Sequence, residues 1–263
     1  MATSHTTTTT IRKEQPRAAS FGKQLLSQTS IELSMTLRQG ERVLVTLFIP
    51  IMLLIFFSAL KIVPLAPGES AVDFLLPGVL ALAIIAAGMV SLGIATAYER
   101  RYGVLKRLGS SPLPRGGLIL AKVISVLVLE LIQIILLVTV AMIFYGWRPA
   151  GSLPLAVLGV ALGTITFAAL GLAMAGRLRA EATLAGSNAL FLIFVLIGGG
   201  ILPLDRLPAP LAALAQFLPP AALTQVLQNT LVAGKSFPAG ALLTLTIWAV
   251  GILLLAIKSF RWE

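Results

Sequence analysis

Glu130 and, three positions later, Gln133 are the polar residues best placed to do chemistry, because they lie inside a long apolar run at residues 118–145. A carboxylate at the middle of an apolar helix costs about 2.5 to 3.5 kcal/mol on membrane-insertion scales, so Glu130 is expected to face protein or water, or to hold a proton. Two roles fit it: capture of a cationic substrate, or a hydrogen bond to a neighbouring helix or a second chain. A second concentration of charge is the stretch 98–115, which holds Glu99, Arg100, Arg101, Lys106, Arg107 and Arg115. Tyr98, Tyr102, Leu105 and Leu108 recur there at steps of four, three and three. That spacing puts them on one stripe of a short amphipathic helix, with Gly103 inside it, suited to a membrane surface or a partner's groove.

Other chemistries lack their parts. The sequence has one His, His5, and no Cys, which removes His-based catalysis, thiolate metal sites and disulfides. It has no H-E-x-x-H, no metal cluster and no pair of intramembrane aspartates. Gly234-Lys235-Ser236 imitates the end of a phosphate-binding loop, but Asn229 stands where that motif needs its first Gly. Gly198-Gly199-Gly200 fails as a dinucleotide fingerprint because Pro203 occupies the last Gly position.

The elements that must position these residues are membrane spans. Of 263 residues 57% are hydrophobic and 11% charged, against about 25% charged in a soluble domain, and the mean hydropathy is +0.97. A hydrocarbon layer of ~30 Å takes about 20 apolar residues of helix. Six stretches qualify: 43–60, 74–97, 118–145, 154–175, 182–202 and 238–257. Sixteen of the 20 Lys and Arg fall before the first span, between the second and third, between the fourth and fifth, or after the sixth. Lys61, Arg148, Arg206 and Lys235 fall on the other side. The bias of positive charge toward cytoplasmic loops then predicts that both termini are cytoplasmic. It also excludes nucleic acid as a partner, because the basic residues border spans instead of sharing one soluble face with stacking aromatics.

Between the fifth and sixth spans, Pro208, Pro210, Pro219 and Pro220 cut 203–237 into pieces too short to cross, at 211–218 and 221–232. A re-entrant helical hairpin on the outer side is expected. Residues 1–19 read as a disordered cytoplasmic tail with no secretory leader, and 20–42 as an amphipathic helix along the interface. Small residues at Ala83, Ala87, Ser91 and Ala95, and at Gly159 and Gly163, predict close helix packing. Gly199 and Gly200 are expected to let the backbone bend near a substrate exit. The fold class is therefore an all-α integral membrane protein of six spans.

Three segments in order carry a resemblance. Glu99, Gly103, Leu105, Lys106-Arg107-Leu108, Ser111-Pro112-Leu113-Pro114-Arg115 and Lys122 resemble the segment between spans 2 and 3 of the type-2 ABC-exporter permease family. Leu37 to Arg42 with Pro50, and Gly199 to Pro203 followed by Leu218-Pro219-Pro220, are similar to its first and outer segments. Within the family the daunorubicin-resistance-type drug permeases look most alike. The resemblance implies a membrane subunit in the cell membrane that pairs with a second permease chain, as homodimer or heterodimer, and exports a drug, lipid or other amphipathic compound. Two cytoplasmic ABC ATPase subunits would bind ATP and Mg, this chain binding no cofactor itself. It also implies that Glu99, Arg101, Tyr102, Gly103, Leu105, Arg107 and Leu108 couple to the ATPase. Glu130, Gln133, Gly199 and Gly200 are the candidates for the substrate pathway. A polysaccharide-export permease and a proton-coupled transporter acting alone, with Glu130 as its coupling group, are the alternatives.

Overall fold

The computed structural model describes residues 20–60, 70–108 and 114–259. The tail expected at 1–19 and the part of the loop at 109–113 lie outside the described residues. Among the described residues every regular element is a helix, as a chain in hydrocarbon requires, since a helix pairs its own N–H and C=O groups. Six helices are long and apolar enough to cross: Val43–Leu60, Ala71–Arg101, Gly116–Tyr145, Leu153–Arg177, Ala180–Ile197 and Ala239–Lys258. The protein is an all-α, multi-pass membrane protein.

Helix α1 (Phe21–Arg38) precedes α2 (Gly40–Leu60), which holds the first span. The interface helix expected to reach residue 42 stops at Arg38, because Gln39 leaves the helical region (φ −85°, ψ 62°). The second span is α3 (Ala71–Ile85), a π-helical turn at Ala86–Ser91 and α4 (Leu92–Arg101). Then come α5 (Val104–Leu108), α6 (Arg115–Tyr145), α7 (Leu153–Arg177) and α8 (Ala180–Ile197). The fifth span was expected to reach residue 202, but its helix ends at Ile197, where Gly198 to Gly200 depart from it and Gly199 takes a φ of +70°. Helices α9 (Ala209–Ala215), α10 (Pro219–Leu231) and α11 (Ala239–Ser259) complete the chain.

The second and fourth spans form the core. Buried residues make up 83% and 61% of their apolar stretches, against 17% to 28% in the other four. Absent side chains allow this. A Cβ on Gly93 of α4 would sit 2.9 Å from the Gly171 Cα of α7, and one on Gly78 of α3 would sit 1.9 Å from the carbonyl oxygen of Gly200. Only glycine admits backbones at that separation. The outer spans present Phe48, Ile135, Leu192 and Ile247 outward, a surface made for lipid tails.

The segment before the last span is a pair of short helices, α9 and α10, bent by 79°. Pro219 and Pro220 open α10 instead of interrupting it, since the first helical positions need no backbone donor. Helix α10 is buried against α3, α7 and α11, so its polar backbone is sheltered by protein. Gly159 and Gly163 of α7 contact Val226 and Leu223 of α10. The close packing expected of them is therefore with α10.

Gly78→Val places carbon where the Gly200 carbonyl already lies, and overpacking of this kind costs about 1 to 3 kcal/mol or more. Its thermal unfolding midpoint in detergent is expected to drop by several degrees. Gly251→Ala, with open space around its Cβ, is expected to leave that midpoint unchanged or raise it. An unchanged midpoint in Gly78→Val would contradict the contact.

Candidate functional site

Lys122 lies in the third turn of α6, where its stem is surrounded by apolar neighbours and its side chain is 1% exposed. A buried ammonium needs partners. Two carboxylates from distant parts of the chain supply them: Nζ donates to Glu32 Oε2 of α1 at 2.9 Å and to Glu99 Oε2 of α4 at 2.8 Å. Gln28 Nε2, one turn earlier on α1, donates to the other Glu32 oxygen at 3.0 Å. The cluster therefore fastens the helix that precedes the first span to the end of the second span and the start of the third. Two carboxylates thus face one ammonium.

The end of α4 is tied in a second direction. Arg100 Nη2 donates at 2.6 Å to the Leu178 carbonyl just beyond α7. This is favourable because a helix C-terminus carries free carbonyls and partial negative charge. Arg101 pairs with Glu181 of α8, both more than half exposed, so this pair adds at most about 1 kcal/mol. The rings of Tyr98 and Tyr102 stack with centroids 6.1 Å apart.

Tyr98 to Leu108 is not one helix. Helix α4 runs to Arg101, the chain turns at Tyr102 and Gly103, and α5 begins at Val104. Gly103 has a φ of +70° and donates its N–H to the Arg100 carbonyl, so it ends α4 in the left-handed conformation that glycine takes without cost. A proline there cannot match that φ. Leu105 is 1% exposed and belongs to a buried apolar cluster that includes Leu92 of α4 and Leu118 and Ile119 of α6. It turns inward and presents no face to a partner, whereas Tyr102, Lys106 and Arg107 are exposed. The Leu108 side chain lies outside what is described.

Glu130 and Gln133 serve different neighbours. Three residues advance a helix by 300°, which leaves them about 60° apart. Glu130 is buried against α7, where the Thr164 hydroxyl donates to its Oε2. Its Oε1 has no hydrogen-bond partner among the described residues. Gln133 Nε2 donates at 2.8 Å to the Thr46 carbonyl of α2. Pro50 has no N–H, so it cannot bond the carbonyl four residues before it, and Gln133 supplies the missing donor. Gly199 and Gly200 are buried beside Leu204 and Gly78 and contact neither Glu130 nor Gln133. Gly78 precedes Glu99 by 21 residues in the second span, about 30 Å of helix. The sequence-derived candidates thus occupy three separate places.

A groove of about 730 Å³ opens between α1, α2, the second span and α6. Glu32, Glu99 and Lys122 stand at one end and Gln133 at the other. Sequence reasoning missed both the groove and the Glu32 contact. The available signal was a lysine within an apolar run, which demands a counter-charge.

The fold and this junction define a multi-pass helical membrane protein whose intramembrane polar groups tie helices together. The chain belongs to the ABC-2 type transporter family, whose pattern residues 23–232 match. Over 171 residues it is 25% identical to the "Probable multidrug ABC transporter permease YbhS" of Escherichia coli (strain K12), covering 64% of this chain and 45% of that protein. Over 203 residues it is 25% identical to the "Putative transport permease YvfS" of Bacillus subtilis (strain 168), covering 74% of this chain and 80% of that one. The chain thus spans less than half of the Escherichia coli relative.

Lys122→Met leaves the buried Glu32 and the half-buried Glu99 without their cation, and losing one member of a buried ion cluster costs up to about 3 to 5 kcal/mol. Unfolding in mixed micelles is expected to show that loss, and to show most of it restored when Glu32→Gln and Glu99→Gln are added. A single variant as stable as the parent would contradict the cluster.

Proposed function

We propose that this chain is the permease subunit of an ABC exporter in the cell membrane. In this reading it moves an amphipathic compound, such as a drug or lipid, outward. A separate cytoplasmic ATPase binds ATP and Mg, and a second permease chain completes the pathway. Both termini and the α4–α5 corner face the cytoplasm, on the distribution of Lys and Arg. The printed names of the relatives support a transport permease, and one of them is named for multidrug transport.

The observation that carries the reading is the mechanical continuity of the α4–α5 corner. Glu99, Lys122 and Glu32 join α1, α4 and α6, and Leu105 turns α5 into the buried apolar cluster that α4 and α6 share. A push received at Tyr102 would reach the end of the second span directly, and the Glu99–Lys122 contact would carry it to the third. Glu99 and Leu105 hold the corner in this reading, Gly103 shapes it, and Arg101 and Arg107 border the docking face. Glu130 joins α6 to α7 through Thr164 and carries no proton flux.

The test uses the full chain with its ATPase in proteoliposomes. Lys106→Glu, on the exposed face, is expected to weaken ATPase capture about tenfold or more and to cut export in proportion, with the unfolding midpoint unchanged. Gly103→Pro is expected to abolish export while leaving membrane insertion intact. Glu130→Gln, which keeps the Thr164 contact, is expected to export at the parent rate. Export driven by a proton gradient with no ATPase present would overturn the reading.

A further inference from the structure

We propose that the groove between α1, α2, the second span and α6 binds one zwitterionic phospholipid carrying an ammonium headgroup, with one acyl chain running from the charged junction to Gln133. The site needs only that the chain spans a bilayer, and it stands or falls independently of the export reading.

The lining has two poles at one end. The first is the Glu32, Lys122 and Glu99 cluster, with two carboxylates to one ammonium, beside Tyr98 and Tyr102, whose stacked rings also line the groove. Tyr102 is 68% exposed, so its ring is open to a ligand. Carboxylate and aromatic faces together form a site for an ammonium group. The second pole is Arg38 in the last turn of α1, six residues beyond Glu32 and so about 9 Å along the helix. Arg38 makes no ion pair among the described residues, and a guanidinium matches the oxygens of a phosphate. Glu32, Arg38, Glu99 and Lys122 are the charged residues among those lining the groove, and their charges sum to zero.

Below the poles the walls turn apolar, with Leu47, Ala95, Val126 and Leu129 facing the space. Gln133 closes the far end with its amide engaged by Thr46. It lies 11 residues from Lys122 on α6, about 16 Å of helix, which sets the depth available to a hydrocarbon chain. The volume of about 730 Å³ falls within the usual range of about 300 to 1,000 Å³ for small-molecule sites. An anionic headgroup without the ammonium would leave the excess carboxylate unanswered. A separated positive and negative pair above a hydrocarbon chain answers both poles and the apolar walls.

The experiment is native mass spectrometry on the delipidated full chain, exposed to equal amounts of phosphatidylethanolamine and phosphatidylglycerol of identical acyl chains. One phosphatidylethanolamine per chain is expected to be retained, at least fivefold over phosphatidylglycerol. Arg38→Ala, on an exposed helix face, is expected to lower that retention at least fivefold. Ala95→Phe, which puts a ring into the groove, is expected to abolish it, with helical circular dichroism confirming that both variants are folded. Equal retention of the two lipids, or retention unchanged in both folded variants, would overturn the site.

Discussion

A single ammonium group removed from water organises one end of this protein. Lys122 sits where hydrocarbon begins, and the cost of stripping its hydration is offset only by carboxylates held at hydrogen-bond distance. Those carboxylates come from residue 32 and residue 99, so the requirement of one side chain fixes three helices that are remote in sequence. Buried ion clusters are weak sources of net stability but severe selectors of geometry, because any arrangement that separates the partners leaves bare charge in an apolar medium. The cluster therefore specifies where α1 lies more than it strengthens the fold.

The central spans are organised by absence. Gly78 and Gly200 let two backbones touch, and Gly93 with Gly171 does the same between the second and fourth spans. Lipid tails are as apolar as leucine, so helices in a bilayer gain by close contact between small residues. The same two spans accept α10 as a buried wedge, with Gly159 and Gly163 making room for it. A rigid pair of central helices thus connects the charged junction to the hairpin. That continuity is what the proposed coupling to an ATPase would use.

Much of this was legible in the amino-acid order, because bilayer physics leaves few choices. The six spans follow from apolar length, and the prolines at 219 and 220 marked a break before the last span. Boundaries were harder. Gly103 has no helix-breaking signature until its neighbours are known to turn there, and the fifth span ends early because Gly199 adopts a positive φ that periodicity does not report. Leu105 read as part of an outward stripe, yet it lies in a buried apolar cluster with Leu92, Leu118 and Ile119. Long-range polar pairings were the least visible. Gln133 to Thr46 could have been anticipated, since Pro50 frees that carbonyl, but the choice of donor depends on which helix stands opposite. The same holds for Lys122: its need for a carboxylate is local, and the identity of Glu32 is topological.

Through Lys122, α1 and the α4–α5 corner are expected to move as one rigid piece. The sequence contains no cysteine, so spin labels can be placed at will. Labels on exposed Leu26 of α1 and exposed Lys106 of α5, measured by double electron–electron resonance, report this directly. The account predicts a single narrow distance distribution that broadens markedly on Lys122→Met and narrows again when Glu32→Gln and Glu99→Gln are added. Equally narrow distributions with and without Lys122 would contradict it.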